Sequence, residues 1–278
     1  MPSDRFVDFI ETLTAVAYGL ALLAQLFFFF FRPGDKKWAA WSFGIFGFAA
    51  GLHTLFLLST TIQLGYFPFH YWIASISFIA WAIAVGFAYL RLTNADRRMG
   101  VFIAPVVFVF QLISMIAAQE EVKELSKNLQ SSWFGIHVGV SLFACSAFSL
   151  SGCFSLSYLL LSQEIRLKRL RFFFRRMPPL ADLERMNHRI ILLGFTLLTV
   201  AIASGIAWAI QLPGRSLTSD YKQILICVLW LCYAALIHFR YRQGWQGSRT
   251  ALFSLLNFIA VLVVIIIIGL LGTSFHGN

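Results

Sequence analysis

Six histidines, His53, His70, His137, His188, His238 and His276, are the residues best able to do chemistry in a chain of which only 12% is charged. A neutral imidazole carries one lone pair and one N–H, so it can relay protons, ligate a metal or simply hydrogen-bond in a core. His53 and His137 stand within long apolar stretches, where the ring must find a partner for its N–H. Three uses fit that setting: a satisfied core contact, a metal or proton-relay site, and axial ligation of haem iron, for which imidazole pairs in a helical bundle are the usual means. Trp133, Phe134 and Phe56 are close in sequence and suit a flat apolar macrocycle. No H-E-x-x-H, G-x-S-x-G or glycine-rich phosphate loop occurs, and apart from Asp8 and Glu11 at the outer end of the first apolar run no carboxylate pair lies inside one to drive ion transport. The chain is therefore not expected to be an enzyme.

The elements that must position these rings follow from composition. A soluble domain has about a quarter of its residues charged; here the hydrophobic fraction is 59% and phenylalanine alone occurs 30 times. Side chains of this kind face lipid as well as each other. Eight apolar runs, near residues 6–31, 38–60, 71–90, 101–118, 133–161, 190–210, 221–239 and 251–271, are long enough at about 1.5 Å rise per residue to cross a bilayer core of roughly 30 Å. Backbone amides in lipid must pair within their own segment, which excludes open sheets. The expected fold is all-α: a polytopic membrane bundle of about eight helices in one domain over residues 1–278, four helices within 1–118 and four within 133–278.

Charge orients the bundle. Assigning alternate loops to opposite faces puts Arg32, Lys36, Lys37, Arg91, Arg97, Arg98, the cluster from Arg166 to Arg189, Arg240, Arg242 and Arg249 on one side, which is cytoplasmic by the positive-inside rule. The other side holds few bases and most of the acids, so both termini are expected outside, in a bacterial inner membrane. The first run lacks a basic leader and a small-residue cleavage site, and is expected to be retained. The net charge of +10 then describes attraction to anionic lipid head groups and gives no case for nucleic acid. Cys145, Cys153, Cys227 and Cys232 lie within spans without Cys-x-x-Cys spacing and read as small core residues.

On this layout His53 falls about two turns inside the external end of the second helix and His137 little more than one turn inside that of the fifth, depths at which both rings could face one cavity. His276 follows the eighth helix on the same side and could fold back over that region. His238 falls at the opposite end, beside Arg240, while His70 and His188 mark helix starts and read as interfacial rings. The loop 119–132 has room for a surface helical turn or two. The basic stretch after Leu161 is expected to continue the fifth helix, with Leu167, Leu170 and Phe174 toward lipid, until Pro178 and Pro179 stop it. Asp182 then suits a helix start. That basic elbow is either a lipid-anchored turn or a partner-docking surface.

Several segments, in order, carry a family resemblance: Trp133-Phe134-Gly135-Ile136-His137, Met177-Pro178-Pro179-Leu180-Ala181-Asp182, Gly194-Phe195-Thr196, Ser204-Gly205-Ile206-Ala207-Trp208, Leu229-Trp230 with Ile237-His238-Phe239-Arg240, and Gly244-Trp245-Gln246-Gly247. The chain resembles the cytochrome c assembly family of CcsA-like and CcmC-like haem-handling membrane proteins. The resemblance implies non-covalent, b-type haem as cofactor, with His137 and His276 as external axial ligands, His238 at a membrane-embedded haem site and His53 as the second-helix histidine of YpjD-like sequences. It implies membrane lipids and other cytochrome c maturation proteins, or a membrane complex, as partners. One departure is large. The tryptophan-rich WWD segment of CcsA and CcmC is reduced here, in residues 211–222, to Asp220 and Lys222 at the external mouth. The chain is thus similar to the HemX/YpjD-like branch, an accessory factor or transporter in haem delivery, with a cofactor-free regulator acting through its basic elbow as the alternative.

Overall fold

The computed structural model describes residues 2–65, 72–93, 98–117, 132–168, 172–210 and 221–274. Its elements are eight helices: α1 (Pro2–Phe31), α2 (Lys36–Leu64), α3 (Trp72–Leu92), α4 (Gly100–Ala117), α5 (Ser132–Arg166), α6 (Leu180–Ile210), α7 (Tyr221–Arg242) and α8 (Ser248–Ser274). Seven are long and apolar enough to cross a membrane, and the shorter α4 is the eighth. This is the all-α, multi-pass membrane protein expected from composition. The loops 119–131 and 211–220, together with His70, Asp220 and His276, lie outside the described residues.

The helices outrun the apolar stretches that announce them, because a helix continues into the head-group layer on polar residues once its apolar core is formed. α6 starts at Leu180, ten residues ahead of the apolar run at Ile190. Asp182 stands in its first turn, where acid meets the positive end of the helix dipole, and holds Arg185 at 2.5 Å. At the start of α2 the Asp35 carboxylate accepts from the amides of Lys37 and Trp38 at 2.9 and 3.4 Å. Gly65 ends that helix at φ 77°, its N–H bonded to the Thr61 carbonyl. One expectation is corrected: α5 does not continue as a basic amphipathic helix. It stops at Arg166, Lys168 takes φ 53°, and residues 172–177 are bends and turns well before the prolines.

The chain divides into two compact units, residues 1–125 with 168–178, and residues 126–167 with 179–278. In the first, α1 packs on α2 and α4, and α3 packs on α2 and α4, so the four helices close a ring. Its core is aromatic and small-residue: Tyr18, Phe46 and Phe87 meet edge to face at 5.9 and 5.3 Å, beside Ala21, Ala49 and Ala80. The returning segment 168–178 belongs here. The Arg176 guanidinium lies 4.4 Å over Phe172 and donates to the Phe30 carbonyl at 3.4 Å, while Phe172 meets Phe29 at 5.8 Å.

The second unit is built on α5, which packs against α6 and α8, with α7 against α6 and α8. Phe148 stacks on Tyr233 with ring centroids 3.7 Å apart, in a core with Ile191, Leu198, Leu229, Leu236 and Val261. Lipid gives helices little hydrophobic reason to associate, so small residues and buried polar contacts do that work. A Cβ on Gly194 would fall 2.6 Å from Phe148, so only glycine lets α6 come this close to α5. Asn187 of α6 accepts from Ser151 at 2.7 Å and donates to Ser155 at 2.9 Å, and Ser151 meets Ser254 of α8 at 2.7 Å. One asparagine thereby joins three helices.

Candidate functional site

Counting donors settles what each histidine has to offer. His53, buried completely in the four-helix unit, has Nδ1 3.2 Å from the Tyr18 hydroxyl and Nε2 3.0 Å from Ser77 Oγ. Ser77 spends its single proton on Gln111 Oε1 at 2.9 Å, so Ser77 Oγ accepts from His53 Nε2–H and the Tyr18 hydroxyl donates to Nδ1. The chain Tyr18, His53, Ser77, Gln111 touches α1, α2, α3 and α4 in turn. Both nitrogens of His53 are engaged, and as placed it has no lone pair to give to iron.

His137 is the opposite case. It lies in α5 about 8 Å from the first residue of that helix at 1.5 Å per residue. Its Nδ1 is 2.7 Å from the backbone carbonyl of Ala201 on α6, a group that can only accept, so Nδ1 carries a proton and in the neutral ring the lone pair is on Nε2. Nε2 makes no hydrogen bond among the described residues. Room for this arrangement comes from Gly205, one turn along α6, where a Cβ would sit 2.7 Å from both Cε1 and Nδ1 of the ring. Phe134, one turn before His137, packs on Trp208, one turn after Gly205, at 5.2 Å. A half-buried imidazole thus stands beside an aromatic pair, one nitrogen anchored and the other open.

The remaining candidates divide. His238 is exposed near the end of α7, its ring 6.1 Å from Phe239, with no hydrogen bond among the described residues. His188 bonds the Tyr241 hydroxyl at 3.0 Å, as suits an interfacial ring. Lys222 stands half-buried in the first turn of α7. The four cysteines are free thiols, and no group of three or more His, Cys, Asp or Glu side chains among the described residues could hold a metal ion. His53 and His137 belong to separate units.

The profile described as Cytochrome C assembly protein matches residues 51–276, a stretch running from just before His53 to His276. The chain belongs to the cytochrome c assembly protein family. Among curated relatives, it is similar to the cytochrome c biogenesis protein CcsA of Prochlorococcus marinus (strain MIT 9312), 29% identical over 81% of this chain and 80% of that one. It is similar as well to CcsA of Synechococcus sp. (strain JA-3-3Ab), 28% identical over 95% and 93%. Protein HemX of Brevibacillus brevis is 28% identical over 97% of this chain and 98% of its own length. In this cytochrome c assembly protein the residues that sequence reasoning missed are Gly205 and Ala201. Gly205 was legible as part of the Ser204-Gly205 motif, but only the antiparallel register of α5 on α6 reveals that its missing side chain makes space for an imidazole.

Proposed function

We propose that this chain is a haem-binding membrane protein of cytochrome c maturation, acting as an accessory factor or transporter in haem delivery, with His137 as an axial ligand. The observation that carries the reading is the state of that ring. Ligating histidines typically donate their other N–H to a carboxylate or backbone carbonyl, which fixes the tautomer and raises the basicity of the coordinating nitrogen. His137 does so through Ala201 and keeps Nε2 open. Haem bound there, non-covalently and as b-type, would supply a redox-active iron whose potential depends on its axial ligands. The protein's part is to hold the imidazole in one tautomer, orient it through the α5–α6 contact, and offer the Phe134 and Trp208 rings as an apolar wall. His276 is the candidate for the second ligand, His238 for a separate haem site, and Asp220 with Lys222 for the external mouth. His53 serves instead as the hydrogen-bonded centre of its own unit.

Absorption spectra of the purified protein, oxidised and reduced, with and without added haem, test this. A Soret band is expected, and His137→Ala is expected to lose or shift it. No band after titration, or an unchanged spectrum and affinity in the variant, would overturn the reading. Similarity to cytochrome c biogenesis proteins named CcsA supports a place in cytochrome c maturation.

A further inference from the structure

At the arginine-rich end of the second unit a cavity of about 520 Å³ opens between the end of α5 and the turn joining α7 to α8, lined by Arg166, Gln243, Gly244, Trp245, Gln246, Ser248 and Arg249. Its walls are fixed by contacts that no other role has required. The turn is held by amides of Gln243 and Trp245 on the Phe239 carbonyl, at 3.0 and 3.3 Å, and by left-handed Gly244 and Gly247 at φ 65° and 69°. Trp245 is wedged between Phe239 and Phe253, ring centroids 4.7 and 5.6 Å away. Beneath it, the Gly247 amide donates to Glu184 of α6 at 3.2 Å, and Ser248 meets Ser162 of α5 at 3.4 Å.

The charge of the cavity is uncompensated. Glu184 is committed to Arg240 at 2.9 Å, whereas Arg166 and Arg249 make no ion pair or hydrogen bond among the described residues and are exposed. Two guanidinium forks, from α5 and α8, therefore border a preformed space with glutamine side chains and a tryptophan. Guanidinium geometry matches phosphate oxygens bidentately. The level matters equally, since Arg166 ends the span of α5, Arg242 ends that of α7 and Ser248 begins the last. Three spans terminate here, at the depth of lipid head groups, where basic pockets between transmembrane helices select anionic lipids.

We propose that this cavity is a binding site for the phosphodiester head group of an anionic phospholipid, held by Arg166 and Arg249 with Trp245 against the glycerol and upper acyl region. The site is independent of His137 and of whether the protein binds haem. The test uses the full chain in detergent, with native mass spectrometry and thermal unfolding in the presence of phosphatidylglycerol or of zwitterionic phosphatidylcholine. Phosphatidylglycerol is expected to remain bound and to raise the unfolding midpoint, with phosphatidylcholine doing neither. The doubly substituted Arg166→Gln, Arg249→Gln protein should bind phosphatidylglycerol about 30-fold more weakly, on the basis of the usual gain per basic residue at an anionic surface. Arg32→Gln, an exposed arginine in the other unit, should leave binding unchanged. Equal retention of the two lipids by the wild type would overturn the proposal without reference to any variant. So would loss of phosphatidylglycerol to millimolar inorganic phosphate, which would mark a site for free phosphate, or displacement by haem through its carboxylates.

Discussion

Gly205→Ala is a single-methyl test of the His137 site. The new Cβ would stand 2.7 Å from Cε1 and Nδ1 of the ring, against about 3.4 Å for ordinary contact, so the imidazole must retreat by about 0.7 Å. The Nδ1 hydrogen bond to Ala201 is already 2.7 Å long and cannot follow that movement without lengthening or bending. Losing it costs about 0.5–1.5 kcal/mol in stability. The larger effect is on ligand orientation: removing such an outer partner typically weakens metal affinity by about 10- to 100-fold. Haem titration followed at the Soret band measures the affinity, and circular dichroism with a thermal melt measures the fold. The expected result is a weaker, spectrally shifted complex in a protein that still melts cooperatively. Wild-type affinity and spectrum in Gly205→Ala would refute the claim that the α5–α6 contact tunes His137.

Four further outcomes follow from the same geometry. His53→Leu leaves the Tyr18 hydroxyl and Ser77 without their shared partner and should destabilise the protein by about 2–4 kcal/mol in thermal unfolding, with haem absorbance retained; loss of the Soret band in a folded variant would make His53 a ligand. Asn187→Leu removes the junction of α5, α6 and α8 and strands buried hydroxyls, a loss of about 2–3 kcal/mol in the same melt. Glu184→Gln should cost about 1–2 kcal/mol by removing the charge opposite Arg240, the pair being partly solvent-screened. Charge reversal at the exposed Arg175 distinguishes the regulatory alternative: if the elbow docks a partner, complementation of a deletion strain fails with haem binding intact, whereas a haem-centred role fails with the histidine variants instead.

The fold was legible because lipid imposes one solution on an apolar run of sufficient length, and all eight helices stand where the runs place them. Their ends were less legible. The ten residues before Ile190 are too charged to read as a span, yet Asp182 at a helix start and Glu184 facing Arg240 make helical use of them. The elbow was misread because Leu167 and Phe174 have helical spacing, and nothing local shows that Phe172 has aromatic neighbours near the end of α1. For the site, sequence supplied candidate imidazoles and left their roles open. His53 and His137 look alike as polar rings in apolar runs; only Ser77 and Tyr18 on one side, and a bare carbonyl on the other, separate a saturated imidazole from one with a lone pair to spare.

The path of the chain bears on how the protein is made. Because residues 168–178 return to the first unit after α5 has been laid down, a ribosome that has finished α4 has produced four helices but not the guanidinium that caps the Phe30 carbonyl. Cutting the gene between α4 and α5 therefore does not yield two self-sufficient halves. The upstream fragment lacks its clasp, and the downstream one carries an orphaned strap of phenylalanines and arginines, so co-expressed pieces should reconstitute only when the strap finds its seat.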